Sequence, residues 1–306
     1  MLNRRNFLKS SGLLALGAMA LPKGAEALFN AAGHPLGVQL FTFFNIMDAD
    51  VQGNLHKIAA IGYKEIESAF SKKGGYYGLK PKAFAALCKA EGLAWKSHHV
   101  LGAPFKLPPG TKTPAGPDGK PMVLPPMLNL RDNMQQLVDE AAEGGIPYLV
   151  CANSPTGTLA EIKSTVEVLN KTGELCKKAN IQLCYHNHDM EFKAVDGKVP
   201  YHLLLTETHA ELVKMELDLA WATKAGVNII ELFNQHPGRF PLLHVKDISA
   251  DFKTLEPVGD GVVKFKEIFA HTQTAGVKHY FVEHDMPKDA LASITESYKN
   301  LRKLGL

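Results

Sequence analysis

The stretch that most constrains this chain is IQLCYHNHDMEF, residues 181–192, a short apolar run that stops abruptly in His186, Asn187, His188, Asp189 and Glu191. Side chains alternate along a strand, so His186 and His188 face one way and Asn187 the other. Three later apolar runs close in the same manner: MELDLAWA on Asp218, LLHVKD on His244, and YFVEHD on Glu283. Residues that bind metals or move protons thus recur at the ends of strands, which matters only in a fold that brings strand ends together.

The order of elements supplies such a fold. Strands are expected at Gly37–Phe43, Tyr63–Glu67, Leu93–His98, Pro147–Ala152, Ile181–His186, Lys214–Asp218, Pro241–Lys246 and His279–Glu283, from their β-branched and aromatic content. Between them, apolar residues at helical spacing predict helices at Val51–Ile61, from Pro81 to Gly92, Asn129–Glu143, Leu159–Ala179, Pro200–Thr208, Asn228–Gln235, Lys264–Ala275 and Asp289–Leu304. Pro81 suits a first helical turn, and Gly62 and Gly92 suit helix ends. Eight β/α units predict an α/β fold, a (β/α)8 TIM barrel, for which about 250 residues is typical. A doubly wound open sheet would need a glycine-rich phosphate loop after its first strand, and GVQLFTFFN has none.

With 306 residues and 45% hydrophobic content, the chain can bury a large core. Of its 34 Lys and Arg and 31 Asp and Glu, four and one fall within the first 27 residues, so the remainder balances at 30 each. Neutrality argues against a nucleic-acid partner and favours a small, weakly charged ligand. The first 27 residues run from Arg4-Arg5 through an uncharged stretch to Ala25-Glu26-Ala27, the layout of an export signal cut after Ala27. Arg4-Arg5-Asn6-Phe7-Leu8-Lys9 is similar to a twin-arginine signal, which implies a periplasmic or otherwise exported protein. The apolar part is too short for a convincing membrane span. Residues 28–306 then form one barrel domain. Cys88, Cys151, Cys176 and Cys184 fit no CxxC spacing and read as buried thiols.

Residues 102–126 hold eight of the chain's 18 prolines, so no regular helix or central strand fits there. Because the alternation resumes afterwards, the segment reads as an insertion rather than a domain boundary. It follows the third strand, so it is expected as a lid on the strand-end face, with Phe105 and Leu107 offering apolar contacts; an arm toward a neighbouring subunit is the alternative.

In a barrel, His186, Asp218, His244 and Glu283 would surround one point with two imidazoles and two carboxylates. Mixed N/O ligation suits one divalent ion, manganese or zinc first, with cobalt or iron also fitting, better than magnesium or calcium. The alternative is that Asp218 caps a helix and His244 is a hydrogen-bonded core residue.

GVQLFT, IGYKEIE, CYHNHDMEF, MELDLAWATKAG, GRFPLLHVKD, VGDGVVKF and YFVEHD together resemble the sugar phosphate isomerase/epimerase family, barrels similar to xylose isomerase. The resemblance implies one divalent metal on Glu, Asp, His and Glu at strand ends. Asp218, His244 and Glu283 match the last three; the first is a histidine, as in the branch similar to inosose dehydratase, with His186 and His188 both candidates. It also implies proton removal beside a carbonyl, with Glu191 and His188 as acid/base groups and Lys246 facing the developing oxyanion. Glu67, His98, His99 and Trp221 would line the same mouth and bind substrate. Arg239 is expected to pack at the start of strand seven and Asp260 to cap a turn.

Resemblance to exported relatives points to a 3-keto-glycoside lyase; isomerisation, epimerisation or an inosose-dehydratase-like reaction would share the first step. The competing class is a non-catalytic periplasmic sugar-binding protein, for which Trp95 and Trp221 offer the only indoles. A phosphodiesterase similar to endonuclease IV would need more metals and a basic face.

Overall fold

The computed structural model describes residues 35–105 and 127–305. Its centre is a closed, all-parallel barrel of eight strands: β1 (Leu36–Gln39), β2 (Glu65–Ser68), β3 (Ala94–Leu101), β4 (Tyr148–Asn153), β5 (Gln182–His186), β6 (Val213–Asp218), β7 (Leu242–Val245) and β10 (His279–Val282), with β10 pairing back onto β1. The remaining two strands, β8 (Asp247–Ile248) and β9 (Leu255–Glu256), form a small antiparallel hairpin after β7. Around the barrel run α1 (Val51–Ile61), α2 (Pro81–Ala90), α3 (Leu130–Gly144), α4 (Leu159–Lys178), α5 (Pro200–Glu207), α6 (Leu219–Lys224), α7 (Ile229–Gln235), α8 (Phe265–Phe269), α9 (Thr272–Ala275) and α10 (Ala290–Lys303).

The starts of these helices are written in the sequence. Asp50, Asn129, Thr158, Asp218, Asn228 and Asp289 each accept a backbone N–H from the first turn that follows, the bond an N-cap supplies to an otherwise orphaned donor. Pro81 and Pro200 sit in first turns, where a missing N–H costs nothing.

The expected elements hold their places with three differences. β1 stops at Gln39 instead of Phe43, because the Gln39 side chain accepts the Phe41 N–H and turns Leu40–Phe43 into a 3-10 helix. The helix expected at Lys264–Ala275 breaks into α8 and α9, where the Thr272 hydroxyl donates to the Phe269 carbonyl. The short helix α6, directly after Asp218, matches the alternative in which that residue caps a helix, and the β8–β9 hairpin is additional to the expected elements.

Alternation along the strands sends one set of side chains outward into the layer between barrel and helices and the other inward. Outward residues such as Val38, Ile66, Leu149, Leu183, Leu217, Val245 and Val282 join the main apolar core. Inside, Val150, Cys184, Leu242 and Phe281 form a separate small plug. Gly37 is required beside it, since a Cβ there would meet the Phe281 ring at 2.6 Å. Above the plug the inward side chains include Gln39, Glu67, His99, Glu216 and His244, a buried polar layer.

Residues 1–27, expected as an export signal, and residues 106–126, most of the expected proline-rich insertion, lie outside the described residues. All four cysteines are free and buried, as expected, and burial pushes the Cys88, Cys151 and Cys176 thiols up to about 12. Among the described residues no helix is long and apolar enough to cross a membrane.

Candidate metal centre

At the carboxyl ends of β5, β6, β7 and β10, the side chains of His186, Asp218, His244 and Glu283 meet in the barrel's interior, all buried. Their facing atoms lie within 4.8 Å of one another. His244 Nδ1 is 2.8 Å from Glu283 Oε2 and 3.9 Å from Asp218 Oδ2, and His186 Nε2 is 3.5 Å from Asp218 Oδ2. Despite this closeness, His186 Nε2, Asp218 Oδ2, His244 Nδ1 and Glu283 Oε2 each lack a hydrogen bond of acceptable geometry. Asp218 Oδ2 and Glu283 Oε2 face the Lys246 ammonium at 3.0 and 2.7 Å, while the two imidazole nitrogens face only these carboxylates. Buried polar atoms are seldom left without a well-formed hydrogen bond. A divalent ion with bonds of about 2.0–2.2 Å to such atoms needs ligand separations of roughly this size, so the residues fit the group.

The other atom of three of these side chains is occupied by a fixed partner. Asp218 Oδ1 accepts the Trp221 N–H and caps α6, while the Asp218 N–H donates to Asn187 Oδ1. His186 Nδ1 lies 3.3 Å from the Ala152 carbonyl, which can only accept, so the proton belongs on Nδ1 and the lone pair on Nε2. His244 Nε2 is 2.6 Å from Glu67 Oε1, which places its proton there and its lone pair on Nδ1. Glu67 is itself held by Gln39 Nε2 at 2.6 Å and by the Ser97 hydroxyl. The two readings weighed for Asp218 and His244 are therefore not alternatives: each residue does its packing task with one atom and presents the other.

The charges agree. Burial alone would raise Asp218, but Lys246 and His186 hold it at about 2. Burial and the neighbouring His244 depress His186 to about 3, leaving it neutral. Burial would also raise Glu283, yet Lys246 and His244 hold it well below the usual carboxylate range. Against the effect of burial, Glu216, Glu283 and Glu67 raise His244 well above its ordinary value, so ion binding must displace a proton from it. Lys246, buried and kept charged by Asp218, Asp285 and Glu283, lies 3.0, 2.9 and 2.7 Å from those carboxylates respectively.

Below the centre, Glu67, His99, Glu216 and His244 form a second buried cluster. His99 Nε2 is 2.7 Å from Glu216 and 3.1 Å from Glu67, and His244 Nε2 is 3.3 Å from Glu216. His99 and His244 are each joined to a carboxylate of this cluster by a hydrogen bond, so we read the cluster as the support of His244. Although burial opposes it, the charges of Glu67 and Glu216 raise His99 to about 9, and burial with Glu67's charge raises Glu216 to about 7.

A cavity of about 280 Å³ opens over the centre. Its polar lining includes His99, His186, His188, Lys246, Glu283 and Asp285, and its apolar lining includes Phe41, Phe44, Phe70, Leu101, Phe105 and Met127. Of the residues expected from the sequence, His186 faces the centre, and His188 lines the cavity and stands outside the ligand cluster. Four expectations need correction. Glu191 does not line the cavity: its oxygens accept the Tyr185 hydroxyl and the His188 N–H, so it fixes the loop that carries His188. Glu67 is buried beneath His244 and offers no surface to a substrate. His98 points to the opposite side of β3 from His99, bonding Ser68 and stacking on Tyr76. Trp221 is absent from the cavity wall and lies behind Lys246, whose ammonium is 5.4 Å from its ring. Phe105, half exposed, does line the cavity. Arg239 donates to the Leu205 carbonyl before β7, as expected. Asp260 accepts from Asn300 Nδ2, while the flanking Gly259 and Gly261 donate to Asp247.

Asp285, missed from the sequence, lines the cavity two residues beyond Glu283 in YFVEHD; the motif was read only as far as its first carboxylate. Glu216 was also missed, although it stands two residues before Asp218 and therefore shares its face.

Comparison with known proteins follows the same geometry. Residues 55–304 match the family described as xylose isomerase-like TIM barrel. The chain belongs to that family. Among curated relatives of this xylose isomerase-like barrel, inosose dehydratase 2 of Bacillus cereus is 25% identical over 168 residues, covering 49% of this chain and 56% of the relative. Inosose dehydratase of Geobacillus thermodenitrificans is 24% identical over 156 residues, covering 45% and 52%. The chain thus spans about half the length of the curated relatives it matches. A crystal structure of a sugar phosphate isomerase/epimerase from Parabacteroides distasonis superposes with a TM-score of 0.71 at 26% identity, covering 88% of this chain and 94% of that one. L-ribulose 3-epimerase, at 12% identity and a TM-score of 0.64 over 89% of this chain and 94% of that one, shares the fold.

Proposed function

We propose that this xylose isomerase-like barrel is a divalent-metal-dependent enzyme that removes a proton from the carbon beside a carbonyl of a sugar or sugar derivative. The observation that carries the reading is the set of four buried atoms, one from each of His186, Asp218, His244 and Glu283, that lie within 4.8 Å of one another around one point. A manganese or zinc ion bound there would supply Lewis acidity toward the carbonyl oxygen and offset the negative charge that develops on it.

The chain's own residues do the rest. His188 stands on the cavity wall, about one-third exposed, with its loop pinned by Glu191, so its imidazole can take or return a proton. Lys246 is buried, charged and adjacent to the centre, a fixed positive field for an oxyanion. Asp285 is the second cavity-facing group able to hold a proton, and burial raises it above its ordinary value. The apolar wall keeps water from the enolate.

The finer reading is a 3-keto-glycoside lyase acting after export. The proton on carbon 2 leaves, its electron pair forms the C1–C2 double bond by way of the enolate, and the C1–O bond breaks. The departing group takes up a proton as an alcohol, leaving a 2-hydroxy-3-ketoglycal. Inosose-dehydratase-like loss of water would share the first step. Incubation of metal-loaded and chelator-stripped protein with 3-keto-glycosides and free ketoses in deuterated water tests this. We expect alcohol release, or deuterium at the carbon beside the carbonyl, only from loaded protein. No exchange and no release across the panel would refute the proposal. Export is tested separately: changing Arg4 and Arg5 to Lys should hold the precursor in the cytoplasm, and normal periplasmic arrival would argue against the twin-arginine route.

A further inference from the structure

Beside the cavity lies a second recess of about 690 Å³, between the end of β4, the start of α4 and the loop after β5. The two share Leu101, Phe105 and Asn153 and are therefore adjacent. We propose that this groove binds an apolar group, most naturally an aromatic ring, attached to the sugar that sits over the metal centre. The substrate class is then a glycoside of an apolar alcohol or phenol, not a free or phosphorylated monosaccharide. This rests on the reading that the cavity receives the sugar.

The groove's apolar character is built on side chains that ordinarily avoid water. Phe105 is 50% exposed and Met190 57%, and both stand on its lips. Exposed large apolar side chains gathered around one concave surface mark a place that something apolar covers. Phe105 belongs to cavity and groove alike, so one ring can touch both parts of a two-part ligand. Methionine beside it suits aromatic partners through its polarizable sulfur.

Charge argues against a phosphate. In the cavity the one lysine or arginine among the described lining residues is Lys246, already ringed by Asp218, Glu283 and Asp285, and the charged His99 is already paired with Glu216 and Glu67. In the groove, Arg131 Nη2 donates to the Ser164 hydroxyl and Lys193 Nζ pairs with Asp189 at 3.1 Å. A phosphoryl group would therefore compete with carboxylates for Lys246 and Lys193 and with the Ser164 hydroxyl for Arg131, while an apolar ring meets Phe105 and Met190 with no such competition.

The test uses full-length, manganese-loaded protein and unoxidised glycosides, which bind without reacting. Phenyl and methyl glycosides of glucose and galactose, each in both anomers, are titrated by calorimetry alongside glucose 6-phosphate. At least one phenyl glycoside should bind tenfold or more tightly than its methyl counterpart, with glucose 6-phosphate weaker than both. Ala160 is an exposed groove residue in the first turn of α4, so Ala160→Trp fills the recess without touching the core. It should reduce the phenyl preference to near unity. Phe105→Ser and Met190→Ser, which remove the lips instead, should each lower it severalfold. Equal phenyl and methyl affinities, no binding by any glycoside, tighter binding of the phosphate, or a preference that survives all three substitutions would each overturn the proposal. Because binding is read without turnover, a phenyl preference that persists while deuterium exchange fails would reject the catalytic reading and leave the groove assignment standing.

Discussion

At the scale of single residues, the centre works by division of labour within each side chain. His244 illustrates it: Nε2 is tied to Glu67 at 2.6 Å while Nδ1 is presented to the cluster. Partners of this kind commonly govern ligand orientation by about 10–100-fold in metal affinity. Glu67→Gln, which keeps the shape but can no longer demand a proton on Nε2, should weaken manganese affinity within that range in a competition titration. Unchanged affinity would show that Glu67 merely packs. His98, on the other face of β3, makes a different prediction. Burial and the nearby charge of His99 depress it to about 3, so it folds neutral. The unfolded chain binds a proton there below an ordinary value of about 6.5, hence the stabilisation is complete above that pH and is lost as pH falls toward 3. By pH 5 this amounts to about 2 kcal/mol. His98→Asn should shrink the difference between urea midpoints at pH 7 and pH 5, and an unaltered difference would rule out this source. The four facing residues were legible because each terminates an apolar run. Glu67, Glu216 and Asp285 were harder: whether a carboxylate at a strand end faces a substrate, supports a ligand or pairs with a lysine depends on its depth along the barrel axis, and alternation gives only its side. Glu191 was misread for a related reason, since the turn after β5 folds it back onto Tyr185.

Among the elements, the connection after β7 carries the clearest physical signature. Asp247 is fully buried, and its carboxylate accepts the backbone N–H groups of Ile248, Gly259, Gly261 and Val263 at 2.8–3.0 Å. That explains the VGDGVVKF motif: a Cβ on Gly261 would lie 2.3 Å from Asp247 Oδ1, so the close approach requires glycine. Four charge-assisted bonds thus anchor the loop immediately following Lys246. Removing the acceptor would orphan several buried donors, and Asp247→Ala should destabilise the protein by about 3 kcal/mol or more in urea unfolding. A cost under about 0.5 kcal/mol, typical of a surface site, would contradict this role. The sequence marked this motif and its turn but not the bonds, because four donors spread over 16 residues leave no local pattern. The same limit left α6 open: the sequence offers a metal-facing Asp218 or one that caps a helix, and in the structure Asp218 ends one element and caps the next.

For the whole molecule, the closed barrel converts separation along the chain into proximity. Glu67 and His244 are 177 residues apart and share a hydrogen bond. Eight alternating units were enough to read this architecture, because period-2 and period-3.6 patterns survive in single sequences and only the barrel spends them all in one domain. An ion that binds the folded barrel and not the unfolded chain stabilises it, by about 2.7 kcal/mol at a free concentration a hundred times Kd. The thermal midpoint should therefore rise with manganese in the wild type and stay fixed in Asp218→Ala. The most direct measurement is metal content per chain. Wild-type protein and Asp218→Ala are stripped with chelator, reloaded with excess manganese, desalted and analysed by plasma mass spectrometry, with circular dichroism verifying that both are folded. The account predicts one ion per wild-type chain and close to none in the variant. One ion retained by folded Asp218→Ala, or none taken up by the wild type, would contradict it.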